Sequence, residues 1–119
     1  MKLSRELVKG STSILILSLL SGEDMYGYQM TQELKKKTDG VFEMREGTLY
    51  PMLHSLEESG AVEAYWVQSD GGKQRKYYRL TKAGKSLLKE KKAEWEIFTG
   101  AVGTVIGEAF SMKGDVCYE

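Results

Sequence analysis

The stretch EGTLYPMLHSLEESG, residues 46–60, decides how the chain is read. Leu49, Met52, Leu53 and Leu56 recur at helical spacing, and Gly60 marks a stop. The segment is therefore a short helix with one apolar face. Its other face carries Tyr50, His54 and Ser55, a polar and aromatic mixture with no core to fill. The start is open between Glu46 and Thr48. With Thr48 as N-cap, Pro51 falls in the first turn, where a missing N–H costs nothing. With a start at Glu46, Pro51 sits deeper and bends the helix slightly.

Upstream lie two further helix candidates. The first runs from about Ser4 to Leu20, with Leu3, Leu7, Val8, Ile14, Leu15, Leu17 and Leu20 as its apolar face. SGEDMYGYQM is a turn leading into the second, about 26–37, with Tyr28, Met30 and Leu34 as apolar contacts. Lys35–Lys37 suit the negative end of that helix's dipole. TDGVFEM is loop, with at most a few extended residues at 41–44.

Downstream, AVEAYWVQSDGGKQRKYYRLT holds two β-rich runs, 62–68 and 74–80. Ser69-Asp70-Gly71-Gly72 between them is a strong turn signal, so the pair reads as a hairpin. Thr81 then caps a long helix, about 81–110. Leu88, Trp95, Phe98, Val102, Val105 and Ala109 form a coiled-coil-like stripe along it, broken by Lys91. Gly100, Gly103 and Gly107 each lower helix propensity by about 1 kcal/mol, which points to close approach of another backbone.

Three helices, a hairpin and a further helix make a mainly α winged helix-turn-helix. The expected divisions are a DNA-binding domain over 1–80, a dimerisation helix over 81–110 and a tail over 111–119. The short third helix is then a recognition helix and the hairpin a wing. Charge agrees. The net charge is zero, yet residues 69–92 carry nine Lys/Arg against two acids, while 23–63 carry nine acids against four bases. Local basicity of this kind fits an anionic partner met at one place.

Candidate DNA contacts follow. On the third helix they are Thr48, Tyr50, Pro51, His54 and Ser55. Tyr50 is read as a phosphate contact with a sheltered ring, against a plain packing role. His54 is the single histidine, so it contacts DNA or is solvated surface, but it has no partners for a metal. At the second helix's start, Tyr28 is read as core, while Tyr26 or Gln29 touches a phosphate. In the wing they are Lys73, Arg75 and Lys76; the last two alternate along a strand, so one reaches DNA more readily. At least one of Tyr77 and Tyr78 is core.

The patterns GTLYPMLHSLEESG and GGKQRKYYRLTKAG, with YGYQM and the Trp95 region, are similar to those of PadR-type bacterial transcriptional regulators. The chain resembles their short form with one C-terminal helix, over roughly residues 5–110. The resemblance implies a homodimeric repressor of a double-stranded DNA operator. It extends to the multidrug-sensing members, in which paired tryptophans flank a flat pore at the dimer centre. It then implies a small-molecule effector at Trp95, walled by Leu7, Gly10, Ser13 and Ile14 of the first helix.

Other classes are disfavoured. No paired nucleophile and base, phosphate-cradling loop or metal cluster is visible, so neither an enzyme nor a cofactor is expected. SDGGK lacks the spacing and context of a P-loop. The longest apolar run, ILILSLL at 14–20, contains a serine and is too short for a bilayer, and no cleavage site follows it. Cys117 stands alone. No membrane partner is expected, and the cytoplasm is the expected compartment. The competing class is a winged-helix protein-interaction module without DNA binding, which should lack the basic wing and show an apolar patch on the third helix.

Overall fold

The computed structural model describes residues 3–107. Ala109 and the 111–119 tail with Cys117 lie outside the described residues. The elements run α1 (Arg5–Gly22), β1 (Met25–Tyr26), α2 (Gly27–Lys37), α3 (Glu46–Glu58), β2 (Val62–Gln68), β3 (Gln74–Leu80) and α4 (Lys82–Ile106). The strands form one antiparallel sheet in the order β1-β3-β2. The chain divides into two compact units, Met1–Leu88 and Lys89–Glu119.

In α1, Ser4 caps the start by accepting from the Leu7 amide at 3.3 Å. The buried face is Ser11, Thr12, Ile16, Leu17, Leu19 and Leu20. It begins later than the sequence suggests, and Leu7 is largely exposed. Ser11 and Thr12 enter the interior because their hydroxyls donate back to the carbonyls of Leu7 and Val8. In α2 the buried positions are Gly27, Met30 and Leu34. Tyr28 is not core: it is 62% exposed. Two residues turn a helix by about 200°, so a buried Met30 points Tyr28 outward. Met25, read as turn, takes a core place instead through β1.

The start of α3 is Glu46, with Arg45 as N-cap; the Thr48 amide donates to the Arg45 carbonyl at 3.0 Å. Thr48 is therefore not the cap. Pro51 lies inside the helix, and its ring faces solvent. Leu49, Leu53 and Leu56 are buried, as their spacing predicts. Gly60 ends the element at φ +85°; the Ala61 amide donates to the Leu56 carbonyl and the Gly60 amide to the Glu57 carbonyl. This is the Schellman pattern that a left-handed glycine permits.

The hairpin keeps the expected strands in register from Val62 opposite Leu80 to Gln68 opposite Gln74. Its loop is longer than a two-residue turn: a 3-10 turn spans Asp70–Gly72, and Gly71 and Gly72 both take positive φ. On the inner face, Val62, Tyr78 and Leu80 are buried against the helices. The Thr81 hydroxyl accepts from the Gly84 amide at 3.0 Å and donates to the Gly60 carbonyl at 2.6 Å, which ties the start of α4 to the end of α3.

The N-terminal unit therefore ends at Leu88 and not at residue 80. Gly84 packs against the Ala61 carbonyl, and Leu88 is 6% exposed within the core cluster. Leu88 is thus removed from the proposed dimer stripe: its side chain is already covered in a single chain. The second unit is helical through Ile106. No described helix is long and apolar enough to cross a membrane.

Candidate nucleic-acid interface

Helix α3 buries Leu49, Leu53 and Leu56, and the geometry of a helix fixes what the remaining faces present. His54 is exposed on the side away from the core. Its Nε2 lies 3.4 Å from Glu58 Oε2 one turn on. Tyr50 stands on the flank toward α2, half exposed, with its hydroxyl against Gly27. Only a glycine allows this approach, because a Cβ at residue 27 would overlap the phenol oxygen. Burial, then Glu46 and Tyr78, holds the Tyr50 phenol above its ordinary pKa of 10.0, so the hydroxyl keeps its proton. Thr48, Pro51 and Ser55 occupy the opposite flank, where they line a broad open groove shared with Arg5 and Lys9 of α1. All five residues lie on the one short helix, spread around its outer half.

The β1 pairing changes what Tyr26 is. Its partner across the sheet is Tyr77, and the two rings meet edge-to-face at 5.3 Å. Arg75 lies on that same outer face. Its Nη1 donates to Tyr26 Oη at 3.0 Å, and its guanidinium carbon is 4.5 Å from the Tyr26 ring centre. Tyr26 Oη thus accepts from Arg75 and keeps its own proton to donate. Two contacts that the sequence lists separately are one polar unit. Tyr65 and Arg79 extend the face: Tyr65 stacks on Tyr77 at 5.8 Å, and Arg79 lies over Tyr65 at 5.0 Å while pairing with Glu63. Tyr65 donates to Asp24 at 2.5 Å, which raises its pKa.

Lys76 points the other way. It lies on the inner face, 3.7 Å from Glu57 of α3 and 5.5 Å from the Tyr78 ring centre. Arg75 and Lys76 therefore serve different surfaces, as strand alternation requires. Lys73 is exposed at the hairpin end, and its carbonyl accepts from the Ser69 amide and hydroxyl. Gln29 is partly committed: its Nε2 donates to Glu23 at 3.4 Å, while its Oε1 is buried without a partner. Sequence reasoning missed the Glu57–Lys76 pair, the Tyr26–Arg75 pair and the exposed Trp66. The first two join residues far apart in the chain: the β1 pairing brings Tyr26 to Arg75, and α3 lying against the inner face of the hairpin brings Glu57 to Lys76.

The remaining candidates fall in two separate units. Leu7 and Gly10 are exposed on α1, Ser13 is half-buried, and Ile14 packs against the core. On the C-terminal unit, Trp95 and Phe98 lie 6.0 Å apart, ring centre to ring centre, and both are exposed. Val102 and Val105 continue that exposed stripe. Among the described residues, no group of His, Cys, Asp and Glu could hold a metal ion.

The family model described as the transcriptional regulator PadR-like family matches residues 16–90. An uncharacterized protein of Lysinibacillus sphaericus is 42% identical over 91 residues, which is 76% of this chain and 83% of that protein. Transcriptional regulator Rv3488 of Mycobacterium tuberculosis is 34% identical over 86 residues, 72% of this chain and 77% of its own length. A solved structure of a transcriptional regulator from Clostridium thermocellum superposes with a TM-score of 0.79 at 32% identity. It covers 86% of this chain and 96% of its own.

Proposed function

The chain belongs to the PadR-like family of transcriptional regulators, and we propose that it acts as a homodimeric repressor that binds a double-stranded DNA operator by sequence. One observation carries this reading. The outer half of α3 presents Tyr50, His54 and Ser55 to solvent, and a basic wing stands beside it, linked through the Lys76–Glu57 pair. A short helix flanked by a cationic hairpin suits a major groove with phosphates or a minor groove alongside. In this reading Tyr50, His54, Pro51, Ser55 and Thr48 meet the groove. Tyr26, Gln29, Lys73, Arg75 and Lys76 meet the backbone.

The protein-interaction alternative is disfavoured on its own terms. It calls for an apolar patch on α3 and a wing without basic residues. The outer half of α3 is polar and aromatic, and Lys73 and Arg75 are exposed.

Dimerisation is assigned to the C-terminal stripe. Trp95, Phe98, Val102 and Val105 form an apolar line with no partner among the described residues, a feature that small proteins cover by association. Two recognition helices carried on one dimer then read two half-sites. A planar aromatic or amphipathic effector held between Trp95 and its two-fold mate at the dimer centre is a further part of this proposal, supported by the exposure of the Trp95 indole. DNA as the partner places the protein in the cytoplasm.

The test is a footprint of the full chain on the DNA upstream of its own gene. Protection of a discrete site, lost in the triple alanine variant of Lys73, Arg75 and Lys76, is the expected result. Uniform weak protection along the whole fragment would rule out sequence-specific recognition there.

A further inference from the structure

Trp66 is an indole that the winged-helix unit leaves in solvent, 63% exposed. It stands on β2 directly opposite Lys76 on β3. Strand alternation puts both on the face shared by Ala64, Tyr78 and Leu80, the face that packs on the helices lower down. Beyond the core that face fronts α3, since the Lys76 ammonium reaches Glu57 there. Its outermost pair is Gln68 opposite Gln74, both exposed. The surface thus offers one large flat apolar ring, one ammonium held by a single carboxylate, and two neutral amides.

A partner for it must carry an anion beside a flat apolar face at the spacing of one cross-strand pair. The sugar–phosphate strand of a duplex has that alternation, and the basic wing and the outer half of α3 adjoin the surface. We propose that Trp66 and Lys76 form one backbone-binding contact, with the indole on a deoxyribose and the ammonium on the neighbouring phosphate. Glu57 occupies Lys76 in the free protein and yields it to the phosphate. The proposal rests on the DNA-binding reading above and adds two residues to it, Trp66 and Glu57. The exchange is easy because both partners of the ion pair are more than one-third exposed, and such pairs contribute little. A phosphate then replaces the carboxylate through a charge-assisted bond. The contact carries no sequence information, so its loss should act on all duplexes alike.

Binding is followed by anisotropy of a fluorescein-labelled duplex, which does not depend on tryptophan, and in parallel by tryptophan emission of the full chain. The wild type should change emission on saturation with duplex, and Trp66→Phe should lose most of that change while still binding. Trp66→Ala should bind about three- to tenfold more weakly to every duplex, the range of one aromatic contact. Glu57→Gln should bind about two- to fivefold more tightly, since it frees Lys76, and should give no gain in a Lys76→Ala background. Binding by anisotropy with unchanged affinity in Trp66→Ala, or with an emission change that persists in Trp66→Phe, would overturn this contact and leave the DNA-binding reading intact. Failure of the wild type to bind any duplex would remove both.

Discussion

Tyr26 and Arg75 show what a single hydrogen bond adds to a pair of candidate contacts. Arg75 donates to the Tyr26 oxygen at 3.0 Å, and that leaves the tyrosine O–H able to donate to a further acceptor. Tyr26→Phe and Arg75→Ala should therefore not add in their effect on DNA affinity. A double-mutant cycle on duplex binding should give a coupling of roughly 0.5–1.5 kcal/mol, within the range for residues that share one hydrogen bond. Strict additivity would mean that each acts alone. His54 belongs to a different kind of contact. It faces outward near Glu58, and an edge-on contact to a base should make His54→Ala shift preference among operator variants by roughly 1–3 kcal/mol. Competition binding with single-base variants measures this, and an equal loss for all of them would make His54 a backbone contact. The types and spacing of these residues single them out in the sequence, and His54 and Arg75 are exposed while Tyr26 is half-buried. The sequence could not show that Tyr26 and Arg75 touch, since the two-residue strand β1 has no periodicity to read. Tyr28 was misplaced for the opposite reason: an aromatic residue looks like core until the helix phase is fixed by Met30 and Leu34.

At the scale of elements, the joints between helices and hairpin rest on glycine. Gly60 supplies the left-handed turn after α3, and Gly84 lets α4 lie on the backbone of Ala61. A Cβ at Gly84 would overlap that carbonyl oxygen and the Leu80 side chain, and a backbone oxygen tied into a joint does not move cheaply. Gly84→Ala should cost roughly 1–3 kcal/mol of unfolding free energy in denaturant titrations. Gly10→Ala is the contrast. Its Cβ would meet open space in the middle of α1, so the substitution should stabilise by about 0.5–1 kcal/mol. Equal effects at the two sites would contradict the packing described for the α4 joint. The sequence made α2, α3, both hairpin strands and the Thr81 cap legible, because apolar spacing, Gly-Gly and a threonine before a helical run are local signals. The later start of the buried face on α1 was not legible. It depends on serine and threonine hydroxyls bonding back to their own helix, which hydropathy counts as polar.

For the whole molecule, the stripe on α4 divides between two tasks. Leu88 completes the core of the N-terminal unit, while Trp95, Phe98, Val102 and Val105 are exposed, and the proposed dimer would cover them. Gly100 adds open space on the same helix, which a second backbone could enter. Val102→Asp would put an unpaired charge into such a contact. Sedimentation should then report a monomer that still folds, with DNA binding reduced to that of a single half-site. In the proposed function two chains read one operator together. Selection of duplexes from a random pool by the full chain, followed by the protein-to-duplex ratio on the selected site, tests this. The expected result is an enriched sequence with two-fold symmetry, half-sites about one helical turn apart or a multiple of it, and two chains bound per duplex. No enriched sequence, or one chain per duplex on an asymmetric site, would contradict it.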